Sequence, residues 1–75
     1  MTETAQKVTI SISVNGEVRP VRPGMSIADM LEAIGLNPRK VAVEQNLEVV
    51  PRSTFGEVMV SEGDRFEIVH FVGGG

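Results

Sequence analysis

The pair Asn15-Gly16 constrains this chain more than any other feature, because it interrupts a run that alternates apolar and polar residues. Val8, Ile10, Ile12 and Val14 alternate with Thr9, Ser11 and Ser13, the period-two pattern of a strand with one buried face. Asn-Gly readily adopts the two positive φ angles of a type I′ turn, so residues 17–21 are expected to return antiparallel as the second arm of a hairpin. Pro20 removes one main-chain donor from that arm and Pro23 closes it. The second strand therefore belongs at a sheet edge.

A helix follows from residue 27 to residue 34. Ser26 can cap it, and Asp29 completes a capping box with a shorter acid than usual. Ile27, Met30, Leu31 and Ile34 recur at spacings of three and four and form one apolar stripe, with Asp29 and Glu32 toward water. Gly35 supplies a left-handed end, and Asn37-Pro38 prevents resumption. Residues 40–44 read as a third strand through Val41 and Val43, Gln45-Asn46 as a turn, and residues 47–50 as a short continuation ended by Pro51. Phe55 and Gly56 fall in a connecting segment, and Val58 and Val60 suggest another short strand. Gly63-Asp64 makes a turn before a last strand over residues 65–72. If Phe66 and Ile68 face the core there, Val69 and Phe71 face away.

A hairpin, a helix and later strands make an α+β arrangement: a mixed four- to five-stranded sheet packed on one helix, with one sheet face left uncovered. The first and last strands carry the strongest apolar runs and are expected at its centre. With 75 residues there is room for one domain only. Its core must be aliphatic, since Phe55, Phe66 and Phe71 are the only aromatic residues. The expected boundaries are a flexible arm over residues 1–7, the domain over 8–72 and a flexible glycine tail over 73–75.

Several kinds of chemistry are excluded or left without support. The chain has no Cys, so it offers neither disulfides nor thiolate metal ligands, and a reducing, cytoplasmic location is permitted. Residues 1–6 lack the basic and apolar regions of a signal peptide, and no run is long enough for a membrane span. A net charge of −3 argues against nucleic acid and is compatible with a basic protein partner, or simply with solubility. His70 is the only imidazole and reads as a surface or partner-facing strand residue, with no second ligand for a metal site. Glu62 and Asp64 read as solvated turn charges. No G-x-x-x-x-G-K-[ST] phosphate loop is present. No catalytic residue and no bound cofactor is expected.

What remains is "VHFVGGG", residues 69–75. Glycines lose the most conformational freedom on ordering and pack against nothing, so they do not help a domain fold. Taken alone, three glycines read equally well as an unstructured terminus. Here, however, they leave directly from an apolar strand with no polar spacer. A glycine α-carboxylate has no side chain shielding its carbonyl carbon, so it can be activated as an acyl phosphate ester and then attacked by a bulky nucleophile. Four extended residues, Val72 to Gly75, reach at most roughly 13 to 14 Å, enough to enter a partner's pocket while the body stays at its mouth.

Taken together, the Asn-Gly hairpin, "SIADMLEAIGL", "VAVEQN", "GDRFEIV" and the ending "EIVHFVGGG" resemble the sulfur carriers of bacterial thiamine biosynthesis, in the MoaD/ThiS family, over about residues 8–75. The resemblance implies a ubiquitin-like β-grasp fold and a protein cosubstrate rather than an enzyme. It implies that Gly75 is adenylated by a ThiF-like enzyme, which uses ATP, and is converted to a thiocarboxylate with sulfur from a persulfide donor enzyme. That sulfur would pass to a ThiG-like thiazole synthase. By position, Gly73 and Gly74 would thread the partner's active site and Phe71 and Val72 would seat the tail, while the strand alternation marks Val69, with Phe71, as partner-binding. The carrier is expected to be a monomer on its own.

Relatives with the same tail chemistry keep other readings open: sulfur carriers for molybdopterin, cysteine or transfer-RNA thiolation, and a ubiquitin-like modifier or binding module. The molybdopterin relatives tend to be longer and to carry Pro-rich residues before Gly-Gly, which "HFVGGG" lacks.

Overall fold

In the computed structural model, which describes residues 8–71, the chain turns at Asn15 and Gly16 with φ angles of 51° and 87°. The turn joins β1 (Ile10–Val14) to β2 (Glu17–Val21), which pair antiparallel with Val14 opposite Glu17. Asn tolerates the left-handed region and Gly enters it freely, so the turn's twist matches that of the flanking strands. The expected arm over residues 1–7 and the tail over 73–75 lie outside the described residues, as does Val72.

Helix α1 (Ile27–Ala33) begins with the reciprocal capping box expected from Ser26 and Asp29. Asp29 N–H donates to Ser26 Oγ at 3.1 Å, and Ser26 N–H donates to Asp29 Oδ2 at 3.3 Å. At the other end Gly35, with φ of 88°, donates to the Glu32 carbonyl, and Leu36 N–H donates to that of Leu31. These two bonds form a Schellman closure, with Ile34 as the helix cap. Ile27, Met30 and Leu31 are fully buried, each contributing about 1.5–3 kcal/mol relative to exposure.

After a 3₁₀ turn at Pro38–Lys40 come β3 (Val41–Gln45) and β4 (Glu48–Val50), a second hairpin, and the chain later returns as β5 (Arg65–His70). The sheet order is β2-β1-β5-β3-β4. β1 and β5 are parallel, and the other neighbours are antiparallel. As expected, β5 and β1 lie inside the sheet and the Pro-bearing β2 lies at its edge. Ile12, Val14, Val41, Val43, Phe66 and Ile68 point to α1 and form the core with its buried stripe. This is the β-grasp arrangement, and among the described residues no element covers the second face of the sheet.

Two expectations are corrected. Residues 58–60 do not form a strand of the sheet. Ile27 N–H donates to the Val58 carbonyl and Val60 N–H to that of Met25, both at 2.9 Å, so the segment binds the chain leading into α1 through a single bridge, Ser26 to Met59. Pro51 and the 3₁₀ turn at Arg52–Thr54 carry it away from β4, and Phe55, read as a mere connector, is buried over the start of the helix. Asp64 is not a solvated charge. It is 8% exposed and accepts from Gln45 Nε2 at 2.9 Å, Asn46 Nδ2 at 3.0 Å and Ser61 N–H at 2.8 Å. Those bonds tie the β3–β4 turn to the entrance of β5. Among the described residues no helix is long and apolar enough to cross a membrane.

Candidate functional site

β5 delivers the chain toward its glycine tail, and its side chains divide as the alternation requires. Phe66 and Ile68 are buried, whereas Val69 is 62% and Phe71 55% exposed. Val69 pairs with Ala42 on β3, and Glu44 on the same strand pairs with Val49 of β4. Residues two apart on a strand, and residues directly paired, share a face. Ala42, Val49 and Val69 therefore lie together on the uncovered face, and Phe71 continues the series beyond the strand. Val49 is 73% exposed, so this end of the sheet holds large apolar side chains in water, as binding surfaces do.

The root of the tail is held on its β3 side. Phe71 N–H donates to the Lys40 carbonyl at 2.9 Å, extending the β3–β5 ladder one residue past His70. Arg52 places its guanidinium 5.3 Å from the centre of the Phe71 ring. The same arginine lines a shallow groove of about 280 Å³ together with Ala42, Val49 and Pro51. Phe71 and Arg52 thus stand at one end of the open face, beside a groove that Val41, Val43, Val50 and Phe55 line from the core side. Sequence reasoning identified Val69 and Phe71 but missed Ala42, Val49 and Arg52. Ala42 and Val49 could have been found from strand register, while nothing local to Arg52 marks its contact with Phe71.

His70 is exposed at the end of β5, in keeping with its reading as a surface residue. No group of three or more His, Asp or Glu able to hold a metal ion occurs among the described residues. The remaining expected site residues, Val72, Gly73, Gly74 and Gly75, lie outside the described residues.

The sheet order, the single helix and the exposed apolar end of β5 place the chain among the small ubiquitin-like β-grasp domains, a fold shared by a designed protein based on human ubiquitin at a TM-score of 0.51 and 16% identity. Within that class the ThiS family model matches residues 12–75, and the chain belongs to the ThiS family. It is 37% identical over 65 residues to the sulfur carrier protein ThiS of Bacillus subtilis, covering 85% of this chain and 98% of that one. The crystal structure of the thiamine biosynthesis protein ThiS from Geobacter metallireducens superposes with a TM-score of 0.73 at 32% identity, covering 88% of this chain and all of that one. A relative from Paramagnetospirillum magneticum named thiazole synthase is 46% identical over 66 residues, 88% of this chain. The match spans only 20% of that relative's length.

Proposed function

We propose that this protein is the sulfur carrier of thiamine biosynthesis and acts as a cosubstrate rather than a catalyst, with the α-carboxylate of Gly75 as its reactive group. The observation that carries this reading is that, in a member of the ThiS family, β5 turns Val69 and Phe71 outward immediately before Val72-Gly73-Gly74-Gly75. The body would dock through that face while the glycines, free of side chains, enter a narrow site.

The chemistry divides between this chain and its partners. A Gly75 carboxylate oxygen attacks the α-phosphorus of ATP in a ThiF-like enzyme, forming an acyl adenylate and releasing pyrophosphate. The terminal sulfur of a persulfide on a donor enzyme then attacks the acyl carbon, and the carbon–oxygen bond to AMP breaks. A second thiol cleaves the resulting disulfide, is itself oxidised to a disulfide, and leaves the thiocarboxylate on Gly75. With no Cys of its own, the carrier cannot divert the sulfur. The sulfur acceptor is a thiazole synthase. The thiazole synthase relative supports this, since a domain similar to this chain makes up a fifth of its length. All of these steps belong to a cytoplasmic, reducing setting.

The test is the mass of the C-terminal peptide from protein purified without oxygen from thiamine-starved cells. Cleavage after Arg65 releases residues 66–75, which contain no Met, so one oxygen replaced by sulfur cannot be mistaken for methionine oxidation. Sulfur on Gly75 establishes the carrier. An isopeptide bond from Gly75 to a lysine would assign a modifier instead. An unmodified Gly75, even after incubation with the adenylating enzyme, ATP and a persulfide donor, would reject the reading.

A further inference from the structure

β5 has two flanks, and only one of them is held by neighbouring strands along its whole length. Toward β3 its odd-numbered residues are bonded from Arg65, which accepts from Asn46 N–H at 2.8 Å, to Phe71, which donates to Lys40. Toward β1 the even-numbered residues are bonded: Asp64 accepts from Ser13 N–H at 3.0 Å, and Phe66 accepts from Asn15 N–H at 2.9 Å. There β1 ends and the chain turns into β2. Ile68 would be left in the middle of the sheet with an unpaired N–H and C=O on that flank, each costly to leave unsatisfied.

The carboxamide of Asn15 fills both positions. Ile68 N–H donates to Asn15 Oδ1 at 2.7 Å, and Asn15 Nδ2 donates to the Ile68 carbonyl at 3.1 Å. One side chain thus supplies the acceptor and the donor that two residues of a continued β1 would have supplied. The geometry depends on the left-handed backbone of Asn15, φ 51°, so the residue that forms the hairpin turn also fastens the central strand. Among the described residues Ile68 is the last position of β5 held on this flank, four residues before Val72.

We propose that Asn15 is a positioning residue for the tail. By fixing β5 through Ile68 it holds Val69 and Phe71, the last outward-facing residues described before the tail, in place, and so lowers the ordering cost when a partner takes up this end of the chain. The tail's role in this rests on the carrier reading above. The clamp itself can be tested without any partner.

The experiment compares the full-length chain with Asn15→Gly, which keeps the positive φ and removes the carboxamide, and Asn15→Asp, which keeps the acceptor for Ile68 N–H and removes the donor. In Asn15→Gly, exchange of the Ile68 amide should rise about 10- to 30-fold relative to Val43 and Phe66, as expected when both carboxamide hydrogen bonds to Ile68 are lost. With the ThiF-like enzyme and ATP, KM for the carrier should rise about five- to tenfold with kcat within about twofold, because the lost preorganisation is recovered on binding. Asn15→Asp should restore Ile68 protection and most of the KM.

A merely structural role would raise exchange at all three amides together and leave KM unchanged at temperatures where the variant is fully folded, and that result overturns the proposal. If the wild-type chain is not adenylated at all, the carrier reading fails, and the exchange pattern still decides whether Asn15 clamps β5.

Discussion

Arg52 holds its guanidinium over the ring of Phe71, 5.3 Å from the centroid, at the point where the last strand leaves the sheet. Both residues are exposed, so the contact is a loose cover on an apolar ring rather than part of the core. Such a pair stabilises by about 0.5–1 kcal/mol at an exposed site. A double-mutant cycle of Arg52→Ala and Phe71→Leu, followed by urea unfolding, should return a coupling of about that size. A coupling indistinguishable from zero would mean that the arginine is only passing over the ring.

Phe71→Asp places a charge at the root of the tail without touching the core. Its kcat/KM in adenylation should fall about 10- to 100-fold, as for an apolar anchor lost from an interface. The melting temperature should stay within about 3 °C, because surface changes rarely exceed about 0.5 kcal/mol. A large drop in melting temperature would show instead that Phe71 belongs to the core.

Asp64→Ala removes a buried carboxylate that accepts from Gln45, Asn46 and Ser61. Donors left unpaired, together with the loss of bonds to a charged group, should destabilise the domain by about 2–4 kcal/mol. For a domain of this size that lowers the melting temperature by about 8–30 °C. Thermal unfolding followed by circular dichroism reads it directly, and a shift of only a degree or two would mean that water replaces the carboxylate at little cost.

Leu47 is 72% exposed and sits at φ 73° in the turn between β3 and β4, next to Asn46 at φ 53°. A branched aliphatic residue is strained there, whereas glycine is at home in the second central position of such a turn. Leu47→Gly should therefore stabilise the protein by about 0.5–1 kcal/mol, after glycine's greater freedom in the unfolded chain is counted. A less stable variant would show that Leu47 makes a packing contribution despite its exposure.

The parts of the fold legible in the sequence are those written in short-range patterns. Alternation from Val8 to Val14 with Asn15-Gly16 specified the first hairpin, Ser26 with Asp29 specified the start of the helix, and Pro20 kept β2 at the edge. Alternation along β5 also separated Phe66 and Ile68 from Val69 and Phe71, which located half of the apolar end of the open face.

The rest depends on contacts distant in sequence. Residues 58–60 look like a strand because Val58 and Val60 alternate, yet their main-chain partners are Met25 and Ile27. Nothing around Asp64 announces Gln45 and Asn46 as its donors. Asn15 is readable as a turn residue, but its second task, on Ile68, becomes visible only once β5 is known to lie beside β1.

The position of β5 at the middle of the sheet also decides what happens when the tail is pulled. Tension applied beyond Phe71 acts along the strand axis, so the bonds to β1, to Asn15 and to β3 are loaded in shear, many at once, rather than peeled apart in turn. An edge strand attached to the same tail could be unzipped from its end. A body built this way resists unfolding when it is pulled from the end of its last strand.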